Sequence, residues 1–142
     1  MAGLLVTPAD GVPRVAAPGV KAIANISIPV SNQDAGKDFY VGKLGFQVIA
    51  DQPNPPGRPG RWLQLSPPGG GTTVVLATWW DTMPAGSSRG LGITTDDCAG
   101  TVAALRAAGV KVTDCVQSPP GPIAYFSDPD GNQWEMVQPV TP

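Results

Sequence analysis

Glu135 is the side chain of this 142-residue sequence best suited to do chemistry, because it is the only glutamate and its neighbours are apolar. It lies in the segment SDPDGNQWEMVQP, where Trp134 and Met136 flank it in a stretch that alternation predicts to be a strand. A carboxylate is costly to desolvate in such surroundings. Its role could be that of a metal ligand, a general base or acid, or an inert residue that faces solvent or hydrogen-bonds Asn25 or Ser27.

Composition excludes several other kinds of chemistry. The chain has no histidine, which rules out His-based triads, proton shuttles and histidine-containing metal sites. No glycine-rich phosphate loop precedes a predicted helix. The net charge is −2 and the nine lysines and arginines are scattered, so we expect neither nucleic acid nor a membrane as a partner.

Two further features of the sequence bear on where in the cell the protein is located. Cys98 and Cys115 are too few for a disulfide framework, and we expect buried or inert thiols. We recognise no targeting segment, and no apolar run approaches the ~20 residues of a membrane span. The default expectation is therefore a cytoplasmic protein.

An internal repeat organises the chain. The segments DAGKDFYVGKLGFQV (Asp34–Val48) and CAGTVAALRAAGVKV (Cys98–Val112) align at a constant offset of 64 residues, which places Gly45 on Gly109. In each copy an alternating strand is followed by polar capping residues, a short helix, a glycine suited to end it, and three more strands. The closing strands are predicted at FQVIAD, RWLQLS and TTVVLATWW in the first copy, and at VKVTDCV, IAYFS and NQWEMVQ in the second.

The repeat predicts an α+β fold in which two βαβββ modules form a curved mixed sheet around a concave cavity. We expect a flexible N-terminal arm over 1–21, the first module over 22–80, a linker over 81–89 and the second module over 90–139. Both modules would belong to one domain, since 142 residues suit a single core.

The segments IPVSNQDAGKDFYVGKLGF and FSDPDGNQWEMVQP, joined to this order of elements, resemble the vicinal oxygen chelate superfamily. That superfamily includes glyoxalase I, extradiol dioxygenases, and the bleomycin and mitomycin resistance proteins. The resemblance covers about 22–139 and implies a glyoxalase-like fold, often assembled as a homodimer.

The resemblance also implies where a divalent metal would bind. The four ligand positions fall on Asn25, Leu76, Gly90 and Glu135, of which only Glu135 is a usual ligand. One carboxylate and one amide are too few for a tight divalent site, so we predict no metal and no other cofactor. Without a metal, Glu135 would need another partner, such as Arg61, Arg89 or a cationic ligand.

Alternation along the strands, with the family pattern, predicts which side chains face the cavity. In NQWEMVQ the core would take Trp134 and Met136, and in RWLQLS it would take Leu63 and Leu65. One of Trp79 and Trp80 would be core and the other would reach the rim. The predicted cavity residues are Asn25, Ser27, Trp62, Gln64, Leu76, Thr78, Trp80, Gly90, Gly92, Gln133 and Glu135.

A cavity with aromatic walls, a few amides and one acid suits a flat organic molecule. The first hypothesis is therefore a metal-free small-molecule-binding protein, similar to the drug-sequestering branch of the superfamily, that holds an aromatic or conjugated ligand. The alternative is a metal-independent isomerase, cyclase or lyase in which the catalytic residue is Glu135. A metal-dependent lyase or dioxygenase is a weaker third. DPDG is interpreted as a hairpin turn, and whether one chain or two complete the cavity stays open.

Overall fold

The computed structural model describes residues 4–6, 8–16 and 19–140. The expected N-terminal arm lies partly outside these residues. Within them, β1 (Leu4–Val6) and β2 (Arg14–Ala16) form an antiparallel hairpin. The rest of the described chain forms the two modules, in the order that the repeat predicts.

The first module contains β3 (Asn25–Pro29), α1 (Gln33–Gly42), β4 (Gln47–Pro53), β5 (Arg61–Ser66) and β6 (Thr73–Ala77). Its strands form the first sheet, in the order β3-β6-β5-β4. The pairing of β3 with β6 is parallel and the other two pairings are antiparallel.

The second module contains β7 (Leu91–Thr94), α2 (Cys98–Ala107), β8 (Ile123–Ser127) and β9 (Gln133–Val137). These strands form the second sheet, in the order β7-β9-β8. The strand predicted at VKVTDCV is reduced to two isolated bridges, from Val112 to Phe126 and from Val116 to Ile123. The α+β class, with two open curved sheets and two helices, is confirmed.

Both helices begin where the repeat predicts, and α2 ends at Ala107, just before Gly109, whereas α1 ends at Gly42, ahead of the predicted Gly45. Asn32 caps α1 by accepting a hydrogen bond from the Ala35 amide, and Asp97 caps α2 by accepting one from the Gly100 amide. After each helix the chain turns at a glycine with a positive φ, +79° at Gly45 and +83° at Gly109. Only glycine adopts this conformation without steric cost, which explains the repeated residue.

One hydrophobic core is shared by the two sheets, and α1 lies between them. Ile28, Leu63 and Leu76 of the first sheet belong to the same buried cluster as Trp134 and Met136 of the second. The rings of α1 bridge the modules, with centroids 6.2 Å apart for Phe39 and Phe126 and 5.9 Å apart for Tyr40 and Trp134. Each sheet therefore has one face on this core and one face turned away from it, which we call its free face.

Cys98 and Cys115 form a disulfide, so the expectation of two separate thiols is wrong. Their Cα atoms are 6.3 Å apart, within the usual range for such a bond. The bond ties the first residue of α2 to the irregular segment before β8. In the described ranges, no helix is long and apolar enough to cross a membrane.

Candidate functional site

The free face of the first sheet carries several of the predicted ligand residues. Asn25 and Ser27 of β3 stand opposite Thr73 and Val75 of β6, and Val75 stands opposite Gln64 of β5. Because partners in a ladder share a face, these residues and Trp62 line one continuous surface.

Hydrogen bonds orient the side chains of this surface. The indole Nε1 of Trp62 donates to Oε1 of Gln64 at 3.0 Å, and Nε2 of Gln64 donates to Oγ1 of Thr73 at 2.8 Å. Thr73 in turn donates to the carbonyl of Ala24 at 2.9 Å. This chain of donors fixes Trp62 before any ligand arrives, which lowers the entropy lost on binding.

Three indoles form what we call the tryptophan shelf: Trp62, Trp79 and Trp80. Trp79 stacks on Trp62 with centroids 6.3 Å apart and planes 25° apart, and Trp80 lies 6.3 Å from Trp79. Nε1 of Trp80 donates to Oγ of Ser27 at 3.3 Å, and its ring is 45% exposed. Neither Trp79 nor Trp80 belongs to the core, contrary to the expectation for one of them.

Two of the predicted cavity residues, Leu76 and Thr78, are not part of this paired surface. Leu76 is fully buried on the opposite face of β6, where a side chain on Gly36 of α1 would come 2.9 Å from its Cδ1. Thr78 follows the end of β6 and is exposed, and its Oγ1 would lie 2.7 Å from a Cβ on Gly60. The placement of Leu76 in the cavity is therefore corrected, because even-numbered residues of this strand face α1, whereas the placement of Thr78 stays a prediction.

The free face of the second sheet carries Glu135. Gly92 of β7 and Tyr125 of β8 stand opposite it on either side, and Gln133 follows on the same face. Gly92 lies under the carboxylate, since a Cβ there would be 3.6 Å from Oε1 of Glu135. Gly90 precedes the strand at a turn with φ +78° and open space around it.

Glu135 is exposed and makes no hydrogen bond or ion pair with the described residues. Arg61, one predicted partner, instead donates to Asp34 at 2.6 Å and to Asp51 at 2.7 Å, and the first of these bonds raises the pKa of Arg61. Arg89, the other, donates to backbone carbonyls such as that of Gly86. Contacts with Asn25 or Ser27 are not formed either within the described chain.

The two free faces do not meet in one chain. Because α1 separates the sheets, Glu135 and the tryptophan shelf are turned away from a common core in different directions. A cleft of about 800 Å³ between Phe39 and Tyr125 and a second of about 660 Å³ beside Gly92 contain neither Glu135 nor Trp62.

The residues present do not fit the divalent metal that the fold family often holds. Of the four corresponding positions, Leu76 is in the core and Gly90 has no side chain. Asn25 is on the first sheet and Glu135 is on the second, so within one chain they do not converge. Within the described ranges, no group of three or more His, Cys, Asp or Glu side chains could hold a metal ion.

A network of hydrogen bonds joins the two modules. The interpretation of DPDG as a turn alone did not predict this network. The carboxylate of Asp128 accepts from the Tyr40 hydroxyl at 2.7 Å and from Nδ2 of Asn132 at 2.7 Å. Asn132 also donates to the Pro29 carbonyl at 2.8 Å, and Asp130 accepts from the Ser31 hydroxyl at 2.5 Å. Burial, with the charge of Asp128 second, raises the pKa of Tyr40 well above its ordinary value.

Gln33 is a second positioning residue that the sequence did not reveal. Its Nε2 donates to the Arg61 carbonyl at 2.6 Å and to the Leu76 carbonyl at 2.8 Å. It thereby ties the start of β5 to the end of β6, where the tryptophan shelf begins. A buried glutamine at the start of a helix carries no recognisable signal, because its partners are 28 and 43 residues away.

Comparison with known protein families assigns the chain to one of them. The chain belongs to the Glyoxalase/Bleomycin resistance protein/Dioxygenase superfamily, whose family model matches residues 22–136. The resemblance noted in the sequence is thereby confirmed.

Solved structures give nearer comparisons. The chain is 46% identical to TnmS3, an antibiotic binding protein from Streptomyces sp. CB03234, with a TM-score of 0.79 over 85% of this chain and 98% of that one. It is 48% identical to a glyoxalase/bleomycin resistance protein from the same strain, with a TM-score of 0.73 over 82% and 100% of the two chains. A superfamily member from Sphaerobacter thermophilus is 32% identical, with a TM-score of 0.76 over 84% and 98%.

Proposed function

We propose that this protein binds a flat, conjugated organic molecule of the antibiotic type on the tryptophan shelf and holds it unchanged, without a metal or other cofactor. The observation that carries the proposal is the stacked, partly exposed pair Trp62 and Trp79 with Trp80 beside it. The likeness to TnmS3, an antibiotic binding protein, supports an antibiotic as the ligand. A cytoplasmic location remains part of the proposal.

Aromatic side chains bind such a ligand with a large contact area and a small loss of conformational entropy. Each indole offers a large flat area and few torsions to immobilise, and offset stacking on a conjugated ring adds about 0.5–1.5 kcal/mol beyond area burial. The hydrogen bonds of Trp62 to Gln64 and of Trp80 to Ser27 fix two of the rings in advance. The shelf is therefore organised for stacking.

A second copy of the chain would complete the site. In the described chain β3 and β7 each occupy one edge of a sheet, so each leaves a row of backbone groups unpaired. Ile26 of β3 is 39% exposed at one of these edges. Pairing β3 with the partner's β7 would place the tryptophan shelf and the partner's Glu135 on one concave surface, which supports a homodimer with two equal sites.

In that arrangement Glu135 orients the ligand rather than reacting with it. Its side chain is exposed and has no hydrogen-bond partner among the described residues, so nothing there prepares it for proton transfer. The metal-independent isomerase, cyclase or lyase therefore has no contact in its favour.

Equilibrium dialysis against planar aromatic antibiotics, followed by chemical recovery of the compound, tests this function. We expect at least one to bind and to return unchanged, and Trp62→Ala to weaken binding by about tenfold, the loss expected for a stacking anchor. Val12→Ala is the control, because Val12 is 56% exposed and outside both sheets. Conversion of the compound, or equal binding by Trp62→Ala, would refute the proposal.

A further inference from the structure

Arg58 differs from the other arginines of the chain in its contacts. The guanidinium groups of Arg14, Arg61 and Arg106 pair with carboxylates, and that of Arg89 donates to backbone carbonyls. Arg58 makes no hydrogen bond or ion pair through its side chain with the described residues. Its guanidinium instead contacts the tryptophan shelf, where Cζ lies 5.3 Å from the centroid of Trp79.

Trp79 presents a second donor at the same corner. Its Nε1 is buried and has no hydrogen-bond partner among the described residues. Buried indole N–H groups are normally paired, because leaving one unsatisfied costs its full desolvation. A guanidinium without a carboxylate and an indole N–H without an acceptor thus adjoin the same ring. The exposed guanidinium is free to donate to an oxygen acceptor, and the buried N–H lacks one.

The loop that carries Arg58 is held against this corner. Arg58 N donates to the Pro55 carbonyl at 3.1 Å, and Nδ2 of Asn54 donates to the Pro59 carbonyl at 3.0 Å. At Gly60 the loop approaches the residue that follows β6, since a Cβ on Gly60 would be only 2.7 Å from Oγ1 of Thr78. The backbone of Arg58 is therefore held beside the shelf by the fold of the loop, within reach of its exposed side chain.

We propose that Arg58 and Trp79 form a subsite for an anionic oxygen, so that the ligand of the shelf is a conjugated ring system bearing a carboxylate or an ionised phenol. This inference rests on the proposed function, since it requires a ring bound to the shelf. The anionic oxygen accepts from the guanidinium and from Nε1 of Trp79, while the ring stacks on the indoles. Glu135 of the partner subunit would lie away from the subsite of Arg58 and Trp79, because its carboxylate would repel the anionic oxygen of the ligand.

Two probes with one ring system test the subsite: 2-naphthoate and uncharged 2-naphthalenemethanol, each titrated by calorimetry. We expect 2-naphthoate to bind at least about tenfold more tightly, the size of one charge-assisted hydrogen bond. Arg58→Gln should remove this preference without changing the affinity for the alcohol. Trp79→Phe, which keeps an aromatic ring and removes the N–H, should weaken naphthoate binding several-fold.

Arg106→Gln is the matched control, because Arg106 pairs with Asp114 on the second module and should leave both affinities unchanged. Equal affinities for the two probes, or an equal loss of both in Arg58→Gln, would overturn the subsite and leave the shelf in place. Failure of both probes to bind the unaltered protein would contradict the proposed function itself, and the subsite with it.

Discussion

The hydroxyl of Tyr40 donates a 2.7 Å hydrogen bond to Oδ2 of Asp128, across the boundary between the two modules. The same hydroxyl accepts from Nε1 of Trp134 at 3.0 Å. Tyr40 is fully buried and lies on α1, whereas Asp128 and Trp134 belong to the second module. One phenol group thus connects the helix of the first module to the strands of the second.

Tyr40→Phe should lower the free energy of unfolding by about 1–3 kcal/mol at neutral pH, because Asp128 loses a donor and Trp134 loses its acceptor. The difference should shrink at alkaline pH. The raised pKa of Tyr40 keeps its proton in the folded protein, whereas the unfolded chain releases it above about pH 10, so this contribution to stability falls as pH rises.

Urea unfolding of both proteins between neutral pH and pH 11 measures this effect. Tyr125→Phe is the control, since Tyr125 is 48% exposed and has no hydroxyl partner among the described residues. A Tyr40→Phe protein as stable as the parent, or a difference that grows with pH, would contradict the assignment.

Leu76→Ala should act on stability and not on the ligand. We expect a loss of about 2–5 kcal/mol in the free energy of unfolding, because the side chain fills the core under α1. The dissociation constant for 2-naphthoate should stay within about twofold, which is under 0.5 kcal/mol. Thr78→Ala, at an exposed position, is the control for stability; weaker binding with unchanged stability would restore Leu76 to the cavity.

The Cys98–Cys115 disulfide should stabilise the folded chain by about 3 kcal/mol, the value expected for a loop of this length in the chain-entropy model. The two residues are 17 positions apart. Urea unfolding with and without dithiothreitol measures the difference. A Cys98→Ala/Cys115→Ala double variant should be insensitive to the reductant, and an equally insensitive parent protein would argue against the bond.

Gly60→Ala should destabilise the loop of Arg58 more than Gly57→Ala. Both glycines have positive φ, +77° and +91°, so both substitutions carry the backbone cost of about 1 kcal/mol. Only at Gly60 does a Cβ meet Thr78 and Gln33, whereas nothing lies within 4 Å at Gly57. Thermal unfolding should separate the two variants, and equal losses would show that the close approach at Gly60 is unimportant.

The fold was predictable because its signals are local and repeated. The capping residues Asn32 and Asp97 and the turning glycines Gly45 and Gly109 recur at nearly the same spacing, so each copy supports the interpretation of the other. The faces of β5 and β9 also follow from alternation, since apolar and polar residues alternate over 63–66 and over 133–136.

Alternation gave no information where both faces of a strand are apolar. In β6 every residue from Val74 to Ala77 is buried, so the position of Leu76 came from the family pattern and was wrong. The hydrogen bond between the modules could not be predicted either, because Tyr40 and Asp128 are 88 residues apart in the sequence. Long-range pairs of this kind depend on how the modules pack, which short-range patterns do not encode.

In the proposed dimer, each ligand site combines the tryptophan shelf of one copy with the free face of the second sheet of its partner. Trp62→Ala would damage the first half, and Gly92→Trp would fill the second. If these two impaired variants are mixed, unfolded and refolded together, equilibrium dialysis with 2-naphthoate should recover about a quarter of the full-affinity sites, since half of the dimers are mixed and each has one intact site. No recovery from a mixture shown to contain mixed dimers would mean that each site lies within one chain, which would contradict a site shared between two copies.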